Sequence, residues 1–161
     1  MMLKHSITGI FIPILLAGSI VKSQTTDVNS PPEEEIVQIK YEHHGGRILL
    51  SETLVIAPYL ILYSYSSGLS SDTPRRMDEP IESRTWQKLL SELDIVAFKL
   101  LEGLDTAGKF GIPDKKITIT IADGKEYSTT NPIKNEYYSK LVAFFDQLDS
   151  IRNEYNKNSL P

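Results

Sequence analysis

The sequence predicts an α+β fold: an antiparallel sheet of about five strands, in the order β-β-β-α-β-β-α, with two helices packed on one face. Three observations carry this expectation. Three apolar, β-branched or aromatic stretches follow one another between residues 36 and 66, separated only by turn signals, which suits consecutive antiparallel strands. A helical stripe comes next, with Trp86, Leu89, Leu90 and Leu93 at i, i+3, i+4 and i+7. Finally Ile117, Ile119 and Ile121 lead into Asp123-Gly124, a hairpin signature that precedes a second helical stripe. Strands in runs, without regular strand–helix alternation, favour helices gathered on one face of an antiparallel sheet.

Ile36, Val37, Ile39 and Tyr41 make the first strand, residues 36–43, and Gly45-Gly46 turns the chain. A second strand region runs from Arg47 to Ile56 around Leu54, Val55 and Ile56. Ala57-Pro58 ends it, because proline lacks the N–H that a ladder requires. In the third strand, residues 59–66, Tyr59, Ile61, Tyr63 and Tyr65 share one face, and Leu60, Leu62 and Ser64 the other. Both faces are partly apolar, as in a strand covered on one side by a helix, and the tyrosine row is expected on the more solvated side. Ser67 to Ile81 reads as a long polar loop with Asp72, Pro74 and Pro80.

Thr85 is the expected N-cap of the first helix. Residues 94–101 fit either a continuation of that helix or an extended connector. Gly103, Gly108, Gly111 and Pro113 mark irregular chain. The hairpin is expected to turn through a type I′ turn at Asp123-Gly124, return over 125–129 and close at Pro132. The last helix should run from Asn135 or Glu136 to Tyr155, burying Tyr138, Leu141, Val142, Phe145, Leu148 and Ile151. The polar tail, 156–161, is expected to fray.

The chain has 161 residues, a length that suits one domain. Apolar residues make up 40% and charged residues 24%, which excludes collagen-like and wholly disordered chains. With 17 basic and 21 acidic residues, the net charge of -4 argues against a nucleic-acid partner, whose phosphates need a basic face. The absence of cysteine excludes disulfides, thiolate zinc sites, iron–sulfur clusters and a cysteine nucleophile.

The N-terminus reads as an export signal. Lys4 and His5 precede an uncharged stretch from Ile7 to Val21, shorter than a bilayer span requires. Cleavage is expected between Ser23 and Gln24; a cut after Ser19, or an uncleaved anchor, are the alternatives. Leu16-Ala17-Gly18-Ser19 has the shape of a lipobox with serine in place of the lipidated cysteine, so a lipid anchor is not expected. The expected organisation is therefore a signal peptide over 1–23, a disordered linker over 24–35, one α+β domain over 36–155 and the frayed tail. Removing Lys4 and Lys22 leaves 15 basic against 21 acidic residues, a net charge of -6. The mature chain is expected in the periplasm or outside the cell, without a membrane span.

Little in the sequence points to chemistry. His43 and His44 are the histidines left after the expected cleavage, with Glu42, Glu52 and Asp114 as carboxylates in no ligand spacing. Neighbours on a strand point to opposite faces, so His43 and His44 cannot chelate one ion together without distortion. The simpler reading makes both of them surface residues at a strand end. Gly-x-Ser-x-Gly is absent, and the glycines match neither a phosphate loop nor a dinucleotide fingerprint. No catalytic residue and no cofactor are expected. Recognition has better candidates: Tyr59, Tyr63 and Tyr65 on one sheet face, with Trp86 near a helix start, and Arg75-Arg76 in an acidic chain. Against this, Trp86 suits the core, and a loop charge pair suits solvent.

The combination of Ile36-Val37-Gln38-Ile39-Lys40-Tyr41 with Gly45-Gly46, Thr85-Trp86-Gln87-Lys88-Leu89-Leu90, and Ile117–Ile121 with Asp123-Gly124-Lys125-Glu126-Tyr127 resembles a known pattern. It looks like uncharacterised, exported small α+β proteins of Bacteroidota-type bacteria. More distantly, it resembles the emfourin group of metalloprotease inhibitors, over about residues 36–151. The long 67–82 segment and His43-His44 depart from that group. The resemblance implies an exported, non-enzymatic binding protein whose partner is another protein, with protease inhibition as one form of the activity. It supplies no inhibitory residue. The other readings are a subunit of a cell-envelope complex using the tyrosine face, and, last, a metal-dependent enzyme using His43 and His44.

Overall fold

β-Branched and aromatic side chains at alternate positions build six strands among the described residues: β1 (Ile36–Gly45), β2 (Leu50–Ala57), β3 (Leu60–Ser67), β4 (Arg75–Glu79), β5 (Asp114–Ile121) and β6 (Glu126–Thr130). The computed structural model describes residues 34–45, 50–68, 75–104 and 114–159. The strands form one antiparallel sheet in the order β4-β3-β2-β1-β5-β6. Four helical segments complete the fold: α1 (Ser83–Ser91), α2 (Ile95–Lys99), α3 (Glu136–Lys140) and α4 (Val142–Ser159). The α+β class is as the sequence predicts, with one strand and two helical segments more. No helix of the described residues is long and apolar enough to cross a membrane. The expected signal peptide, its Ser23–Gln24 cut and residues 24–33 of the linker lie outside the described residues.

Register decides which face is buried. Met77, Tyr63, Leu54, Tyr41, Ile117 and Thr129 stand opposite one another in a row across all six strands. Tyr63, Leu54, Tyr41 and Ile117 belong to the core, together with Trp86, Leu89, Phe98, Phe144 and Leu148 of the helices. All four helical segments therefore lie on this face. The opposite face carries Lys40, Glu42, His44, Thr53, Ser64 and Thr118, and among the described residues no helical segment packs on it. This orientation corrects the expectation for β3. Its tyrosine face points to the core, and Tyr63 is 1% exposed. Leu62 and Ser64 face outward instead.

Further corrections concern single elements. The expected 67–82 loop contains β4, which becomes a strand by pairing with β3, Tyr65 opposite Arg75 and Ile61 opposite Glu79. Thr85 is not the N-cap: α1 starts at Ser83, and the carbonyl of Glu82 accepts from the N–H groups of Thr85 and Trp86. Residues 94–101 hold α2 as a separate turn, because the Asp94 side chain caps it by accepting from Ala97 N–H at 2.9 Å. The β5–β6 turn is not type I′. Ile121 C=O accepts from Gly124 N–H, and Gly124 has φ +85 while Asp123 does not adopt positive φ. That is a type I turn followed by a left-handed glycine.

The final helix is broken. α3 is capped by Asn135, one of the two expected starting positions, but ends at Leu141, whose φ -109 and ψ 3 leave the helical region. The expected stripe is also corrected: Phe144, three residues from Leu141 and four from Leu148, joins Phe145, Leu148 and Ile151 in the core, while Val142 is 42% exposed. α4 then continues to Ser159, past the expected limit at Tyr155. Glycine is required at Gly103, where residues 102–104 cross the end of β6. A Cβ there would stand 2.2 Å from the Thr130 carbonyl oxygen. The close approach lets Glu102 C=O accept from Ile133 N–H and Asn131 C=O from Leu104 N–H, which covers that end of the sheet.

Candidate functional site

The residues singled out in the sequence fall in three places. His43 and His44 point to opposite faces, as strand alternation demands. His44 is outside, with Nδ1 3.0 Å from Ser51 Oγ and Nε2 3.9 Å from Glu42. His43 is inside, with Nδ1 3.5 Å from Oε2 of Glu52. Among the described residues, no group of three or more His, Asp or Glu is gathered as a metal would need. Arg75 and Arg76 lie on an edge strand rather than a loop. Arg76 borders a small dent of about 190 Å³ on the face away from the helices, with Val55 and Leu62. Tyr59 leaves the other tyrosines and stands alone in the β2–β3 turn.

Tyr63 and His43 meet at a carboxylate that sequence reasoning had considered only as a metal ligand. Glu52 is 2% exposed and sits beneath α4. Its Oε1 accepts from Tyr63 OH at 3.0 Å and lies 3.6 Å from Nε of Arg152. At 3.5 Å the His43 contact is long for a hydrogen bond, so it is an ion-pair contact whenever the imidazole is protonated. Arg152 also donates to Tyr41 OH at 2.7 Å, and both Arg152 and Lys115 lie over the Tyr41 ring. Lys115 in turn donates to both oxygens of Asp149 at 3.1 Å. At the far side, Tyr155 OH donates to Glu79 at 3.3 Å, tying α4 to β4. Through Arg152, Asp149 and Tyr155 the network joins α4 to the sheet. It contains no serine or threonine, and the three grooves described in this section are not lined by Glu52, His43 or Arg152. These contacts fasten the helix to the sheet.

This fastening makes stability pH-dependent at both ends. Burial alone would raise the pKa of Glu52, but His43, Arg152 and Tyr63 outweigh it and hold the carboxyl below its usual 4.5. A lowered folded-state pKa contributes stability that is present above about pH 4.5 and is lost as pH falls through the folded value. Burial, only partly offset by Arg152, pushes Tyr41 up to about 12, and burial with Glu79 nearby does the same for Tyr155. Their contribution is full below about pH 10 and is lost as pH rises towards 12. Urea unfolding midpoints measured from pH 3 to 11 should therefore show a plateau with two falling limbs. In Glu52→Gln the acid limb should flatten; an unchanged acid limb would rule out this account.

At the opposite end of β2 lies a groove of about 650 Å³. Ile36 and the α1 side chains Trp86 and Leu90, with Leu93 and Ile95 beyond the helix, give it an apolar floor. Pro58, Tyr59, Glu34 and Glu35 also line it. The helical stripe explains the floor: Trp86 and Leu89 turn fully into the core, so Leu90 and Leu93, at the stripe's edge, are left half-covered. Glu34 is engaged by the Lys99 ammonium and by Tyr127 OH. The Pro58–Tyr59 turn is tight, because Ala57 pairs with Leu60 directly across it, and Tyr59 C=O accepts from Ile81 N–H at 3.4 Å. Tyr59 is 82% exposed. A third groove, of about 510 Å³, lies at the other corner between His44, Leu104 and Lys116.

The arrangement offers an apolar cleft, an exposed aromatic and acidic groups beside it, the parts of which recognition surfaces are made. No protein-family model matches the chain, and the search of curated proteins returns no match.

Proposed function

We propose that this chain is an exported, non-enzymatic protein-binding module acting in the periplasm or outside the cell. Its recognition surface is the Pro58–Tyr59 turn with the groove beside it. One observation carries this reading: a large aromatic side chain is held 82% exposed at the tip of a hydrogen-bonded hairpin, next to a half-covered apolar floor. Tyrosine in such a position offers a large amphipathic contact at low entropic cost. Tight pairing of β2 with β3 sets the tip in place before binding, so little freedom is lost when a partner closes on it.

Protease inhibition is the specific form we propose, because a rigid hairpin tip can place a bulky side chain in a protease pocket while the sheet behind it keeps its shape. The test is a pull-down with the mature chain, Gln24–Pro161, from envelope and culture-supernatant fractions. The expected result is stoichiometric retention of a protease with its activity suppressed. Tyr59→Ala should weaken the complex by about 2 kcal/mol, about 30-fold in Kd, with an unchanged thermal midpoint. Equal binding by Tyr59→Ala would remove the tip from the interface. A partner without hydrolytic activity would favour the envelope-subunit reading over inhibition.

A further inference from the structure

The groove beside Tyr59 has features that name the chemistry of its occupant, and the inference rests on the binding role proposed above. Among the described residues, the two charged ones that line it, Glu34 and Glu35, are acidic, and no Lys or Arg lines it. Glu34 is already matched by Lys99 and Tyr127. Glu35 is exposed, and its carboxylate has no partner among the described residues. It therefore supplies an unmatched negative charge beside an apolar floor. Tyr59 lines the same groove, and the face of its ring can receive a cation.

The backbone adds a second feature. The ladder between β1 and β2 begins only at Ile39 opposite Ile56, and β2 ends at Ala57. Pro58, which follows, has no N–H to extend the ladder. Ile36 and Gln38 are paired with β5 on their other side, through a register shift between them. Among the described residues, the first residues of β1 thus run extended along the groove with no neighbouring strand on the β2 side, a slot where an extended chain can lie.

We infer that the groove binds an extended peptide segment of a protein partner in which a large apolar side chain is followed by Lys or Arg. The apolar side chain rests on Trp86, Leu90 and Leu93, and the basic group reaches between Glu35 and the Tyr59 ring. The test titrates two synthetic peptides, acetyl-Gly-Thr-Phe-Lys-Val-Gly-amide and its Phe-Glu counterpart, into isotope-labelled mature chain, following backbone amide signals.

The expected result is movement of signals from residues 34–36, 59 and 86–95, with the Lys peptide binding about two- to five-fold tighter than the Glu peptide, the size of one exposed ion pair. Glu35→Lys should reverse that preference without moving the thermal midpoint. Shifts confined to other surfaces, or a preference that survives Glu35→Lys, would overturn the inference while leaving the Tyr59-dependent pull-down intact. Loss of that pull-down would instead remove the binding role itself. Groove signals that move with protein concentration alone would identify a second copy as the occupant. Equal shifts with a peptide of residues 24–33 would assign the groove to the chain's own upstream segment. Either outcome would also overturn the inference.

Discussion

Arg152→Met is expected to destabilise the fold by about 3 kcal/mol, read as a lower urea midpoint with an unchanged slope. The cost comes less from the lost contacts than from what they leave behind. Glu52 is 2% exposed, and without Arg152 its charge keeps only Tyr63 and a long His43 contact. Removing one member of a buried pair typically costs about 3–5 kcal/mol, because the remaining charge is uncompensated. The lower end applies here, since the Arg152 side chain is itself 23% exposed and part of its charge was already solvated. Tyr41 OH loses its donor at the same time. The double variant Glu52→Leu/Arg152→Met should recover most of the loss, because an apolar pair leaves nothing unpaired. A single variant costing less than about 1 kcal/mol would show that the network does not fasten α4.

That network also shows why part of the molecule was legible in sequence and part was not. The hairpin at Asp123-Gly124 and the helix start at Asn135 are local: the residues that decide them are neighbours in the chain. β4 is not local. Four of its five residues are charged, so only Met77 gives the core a reason to hold it, and the strand exists through its pairing with β3. The tyrosine face was read with the correct alternation and the wrong side, since both faces of β3 carry apolar residues. A signal was available. Taking Pro58-Tyr59 as a two-residue turn pairs Leu54 with Tyr63 and puts both on one face. Glu52 and Arg152 are brought together only by the closing helix crossing the sheet, which no periodicity records. The groove escaped for a related reason: Leu90 and Leu93 belong to a stripe that reads as wholly buried, and only the packed helix shows which edge of that stripe remains open.

Phe144 gives the sharpest test of packing, because the sequence reading and the structure disagree about two nearby positions, Val142 and Phe144. At 3.6 residues per turn Phe144 stands three residues from Leu141 and four from Leu148, on their face, whereas Val142 is turned about 100° from Leu141. Phe144 is fully buried, edge-on to Phe98 of α2 at 6.4 Å and 84°, and against Phe145 at 5.5 Å. Truncating it opens a cavity between α2 and α4, with little chance of collapse because rings on two helices line the hole. Phe144→Ala should therefore cost about 3–5 kcal/mol, the largest loss among the variants considered. Val142→Ala, at a 42% exposed position, should stay within about 0.5 kcal/mol. Urea unfolding of the two variants side by side separates the alternatives. A large loss at Val142 with a small one at Phe144 would overturn the face that α4 turns to the sheet, and with it the placement of Arg152 beside Glu52.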